Sequence, residues 1–490
     1  MGYIVNEYTL DSEQERIVFD NSKSLLVVAG AGSGKTLTII GKIKYLVDEC
    51  LINPSDILCI SFTNESTNSL KQKLGLNIDV MTFHKLAISI LEYNNIYFNI
   101  CSSDYLDYVV HEFFHGIIYG YKNIMKMVLS YFDIFFYIDV EKRYKRFVSK
   151  NYKEIIEYEK LFSKFIRLLK TNNYSLKSFI EFKKCIFFKK EKLFLSIALN
   201  IFLVYQNELK SCGLIDFDDM IIQARNTILS GGFIKRYKYI IIDEFQDTSY
   251  IRYLLIKSII DKTDANIMAV GDDFQSIYKF TGCDIDLFVN FDKYFQDSKI
   301  LKIQTTYRNS QELIQTAGLF VMKNDFQIKK NLTSSKKDFK PIKIVNGNNL
   351  EKLLNIIEGN IMILMRNNFD IKKYLNKNIT YSQNQIKFKN KTFKCYTVHR
   401  SKGLEEDNVI VLNVVNDKFG FPNKIVDNKI MRLVSRSRDN YDFSEERRLF
   451  YVALTRTKNN VYLLTDKYKY SIFIKELIRD HNNYIEILNI

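Results

Sequence analysis

The segment Ala29-Gly30-Ala31-Gly32-Ser33-Gly34-Lys35-Thr36 decides the fold of this chain. It follows an apolar run, Leu25 to Val28, and precedes a helix-like apolar pattern that begins at Leu37. A strand, a glycine-rich loop and a helix in this order are typical of a phosphate-binding loop. Glycines let successive backbone N–H groups face phosphate oxygens, and the helix N-terminus adds partial positive charge. The sequence therefore predicts a site for a nucleoside triphosphate at residues 29–36.

Two side chains of this loop carry the predicted chemistry. Lys35 is expected to contact the β- and γ-phosphates, and the Thr36 hydroxyl is expected to hold Mg²⁺. The strict motif has glycine at the position of Ala29. The alternative is a glycine-rich turn without function, and the flanking strand and helix patterns argue against it.

A pair of acidic residues follows another apolar strand pattern further along the chain. The run Tyr239 to Ile242 leads directly into Asp243 and Glu244. Asp243 is predicted to hold Mg²⁺, and Glu244 is predicted to polarise the attacking water. A third apolar run leads to Gln275, which is in position to sense a γ-phosphate. The alternative is that Asp243 and Glu244 form a solvated acidic turn without function, and the phosphate loop upstream argues against this alternative.

The composition supports a folded chain with a basic surface. The 490 residues are 47% hydrophobic and carry a formal net charge of +15, which fits either a lysine-rich solvated surface or a nucleic-acid partner. The seven cysteines form no C-x-x-C pair, so they indicate neither a zinc nor an iron–sulfur site. The most apolar stretch, 193–205, is too short to span a bilayer. We therefore expect a cytoplasmic protein with no membrane partner.

Between about residues 85 and 210 the strand–turn–helix pattern is replaced by long helical stretches rich in Tyr, Phe and Lys. This change predicts a helical insertion. Aromatic residues at the ends of the predicted strands, such as Phe62 and Phe83, are either core residues or platforms on which bases stack.

Taken together, these segments resemble the superfamily 1A DNA helicases of the UvrD/Rep/PcrA type. The resemblance extends from residue 10 to about 465, and its motifs occur in the family order. The matching segments are Gln14, 29–36, 61–64, 82–84, 216–219, 243–247, 271–282, 304–308, 361–367, 396–405 and 445–456.

The resemblance implies an α/β fold with two RecA-like P-loop NTPase lobes, each built on a parallel sheet. Lobe 1A would comprise residues 1–84 and 211–300, with the helical domain 1B at 85–210, and lobe 2A would comprise 301–490. Relatives carry a large helical 2B domain before the segment at 396–405. Here only a short remnant near 367–394 can stand in its place.

The resemblance also assigns roles to individual residues. Arg308 and Arg456 would reach the γ-phosphate from the second lobe as arginine fingers, and Gln14 and Tyr307 would contact adenine. Glu405 would contact the ribose or the triphosphate. The cofactors implied are ATP and Mg²⁺. Single-stranded DNA would contact Phe62, Thr63, Asn64, Phe83, His84, Tyr278, Phe280 and His399.

The implied activity is that of a motor that moves 3′→5′ on single-stranded DNA and unwinds tailed duplex DNA, in repair, replication or phage defence. A second interpretation is a DNA-stimulated ATPase that serves as a sensor or regulatory subunit of a nuclease. Compact chains of this kind resemble the helicase subunit of Gabija-type anti-phage systems, which pairs with a nuclease subunit. An RNA helicase is a third interpretation, and the motifs match the DNA-repair branch better.

Overall fold

A computed structural model describes residues 3–136, 139–347 and 349–489. They form two α/β lobes and a helical domain, in agreement with the predicted fold class. The chain traces most of the first lobe, then the helical domain, then the rest of the first lobe, and finally the second lobe. Among the described residues, no helix combines the length and apolar character needed to cross a membrane.

The first lobe is built on a six-stranded sheet in which every neighbouring pair of strands is parallel. Its strands are mostly apolar and buried on both faces, as a parallel sheet covered by helices requires. In spatial order they are Ser298–Ile303, Ser24–Ala29, Asn266–Gly271, Tyr239–Ile242, Ile57–Ile60 and Asp79–Met81. The surrounding helices are Ser12–Val18, Lys35–Asp48, Asn64–Leu74, Phe83–Tyr93, Phe217–Leu229 and Tyr250–Thr263.

The helical domain packs around an aromatic-rich core of its own. Its helices are Tyr105–His115, Lys122–Tyr131, Val140–Lys150, Tyr152–Thr171, Leu176–Cys185 and Lys189–Ser211. The chain enters and leaves the domain side by side, because strand Asn99–Ile100 pairs in parallel with strand Leu214–Ile215.

The second lobe has an eight-stranded sheet. Six adjacent strands are parallel to one another, and a hairpin adds two strands at one edge, which pair antiparallel with each other and with Lys391–Thr397. In spatial order the strands are Ile379–Ser382, Gln385–Phe388, Lys391–Thr397, Ile361–Met365, Asn408–Val411, Val461–Thr465, Ile342–Asn346 and Ile485–Asn489. The longer helices are Gln311–Val321, Leu350–Ile356, Ser444–Leu454 and Ile472–His481.

The structure differs from the predicted domain boundaries at two places. The boundary at residue 300 falls inside strand Ser298–Ile303, which pairs with Ser24–Ala29 and so belongs to the first lobe. Helix Phe83–Tyr93, which the prediction divides at residue 84, buries Leu86 and Ile90 in the core of the first sheet. The helical core itself begins at Cys101. The segment 367–394 is mainly the antiparallel hairpin, which extends the second sheet.

The two lobes share a continuous apolar interface. Phe274 and Ile277, which follow a strand of the first sheet, are fully buried in the same cluster as residues of helix Ser444–Leu454. At the same interface the buried Arg448 donates from Nε to the Ser276 carbonyl oxygen over 2.7 Å. The loop after the strand Asn266–Gly271 is therefore held by both lobes.

Candidate nucleotide site and its aromatic extension

The phosphate loop connects strand Ser24–Ala29 to helix Lys35–Asp48. Gly32 and Gly34 adopt φ angles of +72° and +81°, in the left-handed region that favours glycine. A Cβ atom at Gly34 would lie 2.6 Å from Gln14 Nε2, so the loop could not accept a side chain there without rearrangement. Ala29 is the last residue of the strand and its side chain is buried, so it stands before the turn. This position explains why alanine can replace the glycine of the strict motif.

The acidic pair lies next to the loop lysine. Lys35 Nζ is 3.1 Å from Glu244 Oε1, and Gln246 Nε2 donates to Glu244 Oε2 over 2.5 Å. Burial would raise the pKa of Glu244, but Lys35 and Lys402 outweigh it and lower that pKa. Burial and the neighbouring Glu244 charge raise the pKa of Asp243. The arrangement keeps Glu244 ionised, which is the state that a residue polarising water needs.

The residues expected to hold Mg²⁺ fit such an ion. Thr36 lies in the first turn of helix Lys35–Asp48, and Asp243 lies directly after strand Tyr239–Ile242. The buried Ser33 hydroxyl has no hydrogen-bond partner within the described part of the chain, so it is free to contact a phosphate oxygen. Thr36 and Asp243 would hold Mg²⁺, which neutralises charge on the β- and γ-phosphates when bound.

The second lobe places Arg456 against Gln275 of the first. Arg456 Nη2 lies 3.3 Å from Gln275 Oε1, while Gln275 Nε2 donates to Asp272 Oδ2 over 2.7 Å. Arg456 is fully buried, and burial together with Arg308 lowers its pKa to about 9. It therefore stays charged at neutral pH. Two residues that lie 181 positions apart in the sequence thus contact each other directly.

Arg308 lies in a loop that packs on the phosphate loop. Thr306 Oγ1 donates to the Ala31 carbonyl oxygen over 2.7 Å, and the Tyr307 backbone N–H donates to the Gly32 carbonyl oxygen over 3.0 Å. The Arg308 guanidinium itself is paired with Glu405, with Nε 2.6 Å from Oε2. Burial would raise the pKa of Glu405, but Arg308 outweighs it and lowers that pKa.

Gln14 and Tyr307, the predicted adenine contacts, are joined through Asp11. Asp11 caps helix Ser12–Val18, and its Oδ2 accepts a hydrogen bond of 2.6 Å from the Tyr307 hydroxyl. Gln14 Nε2 donates to the Ser33 carbonyl oxygen over 3.1 Å, and Gln14 Oε1 accepts from the Asp11 backbone N–H. Both polar ends of Gln14 therefore bind protein atoms, whereas half of the Tyr307 surface is exposed. In this structure Gln14 holds the phosphate loop through the Ser33 carbonyl oxygen, and its contact with adenine stays a prediction.

Lys402 lies beside the acidic residues of this site and was not singled out from the sequence. Its Nζ donates to Asp247 Oδ2 over 2.5 Å and to the Gln275 carbonyl oxygen over 2.8 Å, and lies 3.9 Å from Glu244 Oε2. Burial raises the pKa of Asp247 to about 6, and Lys402 partly opposes that shift. The sequence contains a signal for this residue, because Lys402 lies three residues before Glu405 in the same motif.

Four of the predicted DNA-contacting residues form one aromatic row across the lobes, consisting of Phe62, Tyr278, Phe280 and His399. The Phe62 and Tyr278 rings are nearly parallel, with centroids 6.1 Å apart. Phe280 lies 6.1 Å from Tyr278 and 5.5 Å from His399, in both cases edge to face. Phe280 is 52% exposed and is the most open ring of the row. Arg252, which was not predicted, lies over the Phe62 ring at 5.1 Å.

The other predicted DNA contacts are Thr63, Asn64, Phe83 and His84. Thr63 caps helix Asn64–Leu74, and both Thr63 and Asn64 are exposed. The His84 ring contacts Phe217 at 5.1 Å, and burial together with Arg252 lowers the pKa of His84 to about 4. Phe83 is 4% exposed and packs in the core of the first sheet. Its prediction as a stacking residue is therefore corrected, because a buried ring has no free face for a base.

The fold and this site define a two-lobed P-loop NTPase with RecA-like lobes, whose cleft is lined by two arginines of the second lobe. Comparison with known proteins identifies the family. The model of the UvrD/REP helicase N-terminal domain matches residues 10–296, and the model of the UvrD-like helicase C-terminal domain matches residues 373–468. The chain belongs to the UvrD/Rep family of helicases.

Individual relatives differ in how much of their length is matched. DNA helicase IV of Escherichia coli K12 is 28% identical over 505 aligned residues, which cover 96% of this chain and 70% of that protein. A probable DNA helicase of Mycoplasma pneumoniae is 25% identical, with 96% of this chain and 87% of that protein covered. The ATP-dependent DNA helicase Rep of Buchnera aphidicola from Schizaphis graminum is 28% identical, but the chain spans only 53% of its length.

Proposed function

We propose that this chain is an ATP-dependent DNA helicase that moves 3′→5′ along single-stranded DNA. In this proposal Lys35 and the phosphate loop bind ATP with Mg²⁺, and Glu244 polarises the attacking water. Arg308 and Arg456 stabilise the charge on the transferring phosphoryl group. The aromatic row and the exposed Thr63 and Asn64 contact DNA, and stacking there is independent of base identity.

The observation that carries this proposal is a series of contacts that leads from the aromatic row to Asp247 and Gln275, beside the predicted hydrolysis site. The Tyr278 hydroxyl donates to the His399 carbonyl oxygen over 3.0 Å. Three residues after His399, Lys402 contacts Asp247 and the backbone of Gln275. A base that displaces the ring of Tyr278 or His399 would therefore move groups bonded to the hydrolysis site. Such a linkage is what a motor needs in order to couple DNA movement to ATP hydrolysis.

Strand displacement with tailed duplexes tests the proposal. The substrates are DNA and RNA duplexes of equal length with a single-stranded tail at the 3′ or the 5′ end. We expect ATP-dependent opening of 3′-tailed DNA, and loss of both opening and ATP hydrolysis in Lys35→Ala. Preferential opening of 5′-tailed DNA would show that the proposed direction is wrong. Preferential opening of tailed RNA would show that the proposed substrate is wrong.

The same assay addresses the alternative of a regulatory subunit. The antiparallel hairpin at 379–388 adds two strands where relatives of the UvrD/Rep type carry the 2B domain. If single-stranded DNA stimulates hydrolysis but no tailed duplex opens, the chain is a DNA-stimulated ATPase and the helicase proposal is wrong. Its setting in repair, replication or phage defence, its nuclease partner and its cytoplasmic location stay predictions.

A further inference from the structure

We propose that His111, His115 and Glu159 form a binding site for a zinc-class divalent metal ion in the helical domain. His111 and His115 are four residues apart on helix Tyr105–His115, so they share one face of it. Their rings stack with centroids 4.2 Å apart. Glu159, on helix Tyr152–Thr171, faces both imidazoles and is 8% exposed. The cluster lies in the helical domain and plays no part in the proposed nucleotide chemistry.

The spacing of the three side chains suits one small ion. Glu159 Oε2 is 3.1 Å from His111 Nδ1, and Glu159 Oε1 is 2.9 Å from His115 Nε2. One ligand atom from each residue lies within 4.8 Å of the others. Tetrahedral Zn²⁺ with bonds of about 2.0–2.2 Å separates its ligand atoms by about 3.3–3.5 Å. The two carboxylate–imidazole distances are therefore a few tenths of an ångström short of this separation, and the widest separation in the cluster, at most 4.8 Å, would have to close by no more than about 1.5 Å.

The donor set favours a particular class of metal. Two imidazoles and one carboxylate match the three protein ligands of open zinc sites, in which water takes the fourth position. The His111 side chain is 40% exposed, so water can reach the site. Mg²⁺ prefers oxygen ligands and binds poorly to imidazole, so the Mg²⁺ used with ATP is a weak competitor here. A bound ion would join helix Tyr105–His115 to helix Tyr152–Thr171 and stabilise the helical domain.

The alternative is a hydrogen-bonded His–Glu–His cluster that binds no metal. A nearly buried carboxylate needs donors, and the two imidazoles can supply them without an ion. The two explanations differ in a measurable way, because only the metal site changes the thermal stability of the protein when a metal is added.

Titration of the chelator-treated full chain with Co²⁺ and then Zn²⁺ tests the proposal. We expect one Co²⁺ per chain with d–d absorption and no thiolate charge-transfer band, displaced by Zn²⁺. The absent band distinguishes this site from the seven cysteines. His115→Asn and Glu159→Gln should each weaken Co²⁺ binding by at least about tenfold and abolish the metal-dependent rise in unfolding temperature. His481→Asn is the matched control, because His481 also ends a helix, Ile472–His481.

Three results would overturn the proposal. One is that the wild-type chain does not bind one Co²⁺ ion through nitrogen and oxygen ligands. The second is unchanged Co²⁺ affinity in the cluster variants. The third is an equal loss of affinity in His481→Asn. His111→Asn is the variant expected to stay folded, because the His111 side chain is partly exposed and tolerates replacement best. If the other variants unfold, His111→Asn alone must still lower the affinity for Co²⁺.

Discussion

Replacing Lys402 with methionine removes the cation that joins the second lobe to Asp247, next to the predicted catalytic carboxylates. The side chains of Lys402 and Asp247 are 8% and 2% exposed, and the Nζ–Oδ2 distance is 2.5 Å. Methionine keeps most of the length and apolar contact of the lysine but leaves the Asp247 carboxylate without its cation. It also leaves the Gln275 carbonyl oxygen without the 2.8 Å hydrogen bond from Nζ.

The expected cost in stability follows from the charges involved. Removing one partner of a buried ion pair costs roughly 3–5 kcal/mol if the other stays charged. Burial already raises the pKa of Asp247 to about 6, so this carboxyl can take up a proton once Lys402 is gone. At pH 7.5 that protonation costs at most about 2 kcal/mol. With about 1.5–3 kcal/mol for the charged hydrogen bond to Gln275, we expect a net loss of about 1.5–5 kcal/mol. The loss should shrink as the pH falls toward 6, because less work is then needed to protonate Asp247.

A double-mutant cycle with Asp247→Asn measures the interaction. Urea unfolding of the wild type, both single variants and the double variant gives the coupling free energy, which we expect to be at least about 1 kcal/mol. Lys238→Met is the control. Lys238 pairs with Asp56 on the surface of the first lobe at 3.2 Å, and its loss should cost less than about 1 kcal/mol.

The same variant tests the linkage between DNA and hydrolysis. We expect Lys402→Met to lower the stimulation of ATP hydrolysis by single-stranded DNA, measured as the ratio of rates with and without DNA. Lys238→Met should keep the wild-type ratio. Additive unfolding free energies in the cycle, or a wild-type stimulation ratio in Lys402→Met, would refute the reasoning.

Two further predictions concern the aromatic row and the histidines. Phe280→Ala should weaken binding of single-stranded DNA by about 1–3 kcal/mol in fluorescence anisotropy. Phe339→Ala removes an exposed ring elsewhere and should leave affinity unchanged; equal affinities in both variants would contradict the stacking role. Burial lowers the pKa of His84 and of His399 to about 4, below the ordinary value of about 6.5. The stability gained by burying these imidazoles in the neutral form is therefore complete above about pH 6.5 and is lost as the pH falls toward 4. As the pH falls from 6.5 to 5, the double variant His84→Gln/His399→Gln should therefore gain stability relative to the wild type. The expected gain, measured by urea unfolding, is up to about 1.4 kcal/mol per pH unit for each histidine. A difference in unfolding free energy that does not change with pH would show that the two pKa values are not lowered.

The strands and the phosphate loop could be predicted because their signals are local. Apolar runs such as 25–28 and 239–242 form strands that are buried on both faces. Strand ends in a parallel sheet meet at one edge, which is why Lys35 and Glu244 lie together although 209 positions separate them. The contact between Gln275 and Arg456 followed from family resemblance, since no local pattern relates residues 181 positions apart.

The residues that sequence reasoning missed depend on tertiary burial. Lys330 has no exposed side-chain surface and is paired with Asp272 and Asp273 next to the Phe274 ring. In the sequence it is one lysine among many and resembles a solvated one. Phe83 was misassigned for the same reason, because a position at the end of a strand does not reveal whether the ring faces solvent or the core.

The helical domain is attached to both lobes, and the two attachments differ in strength. Toward the first lobe, the buried Lys170 pairs with Asp216 and Asp219. Toward the second lobe, a segment around 429–436 places Ile430, Met431 and Val434 against the helical core, and Arg436 lies 5.0 Å over the Tyr174 ring. At this second attachment Asn172 Nδ2 also donates to the buried Val434 carbonyl oxygen over 2.8 Å, and Lys164 pairs with Asp427 on the surface, where an ion pair contributes little. Breaking the Lys170 ion pairs would leave buried charges unpaired, which costs more than losing one buried hydrogen bond, so we expect the helical domain to move with the first lobe when the cleft opens.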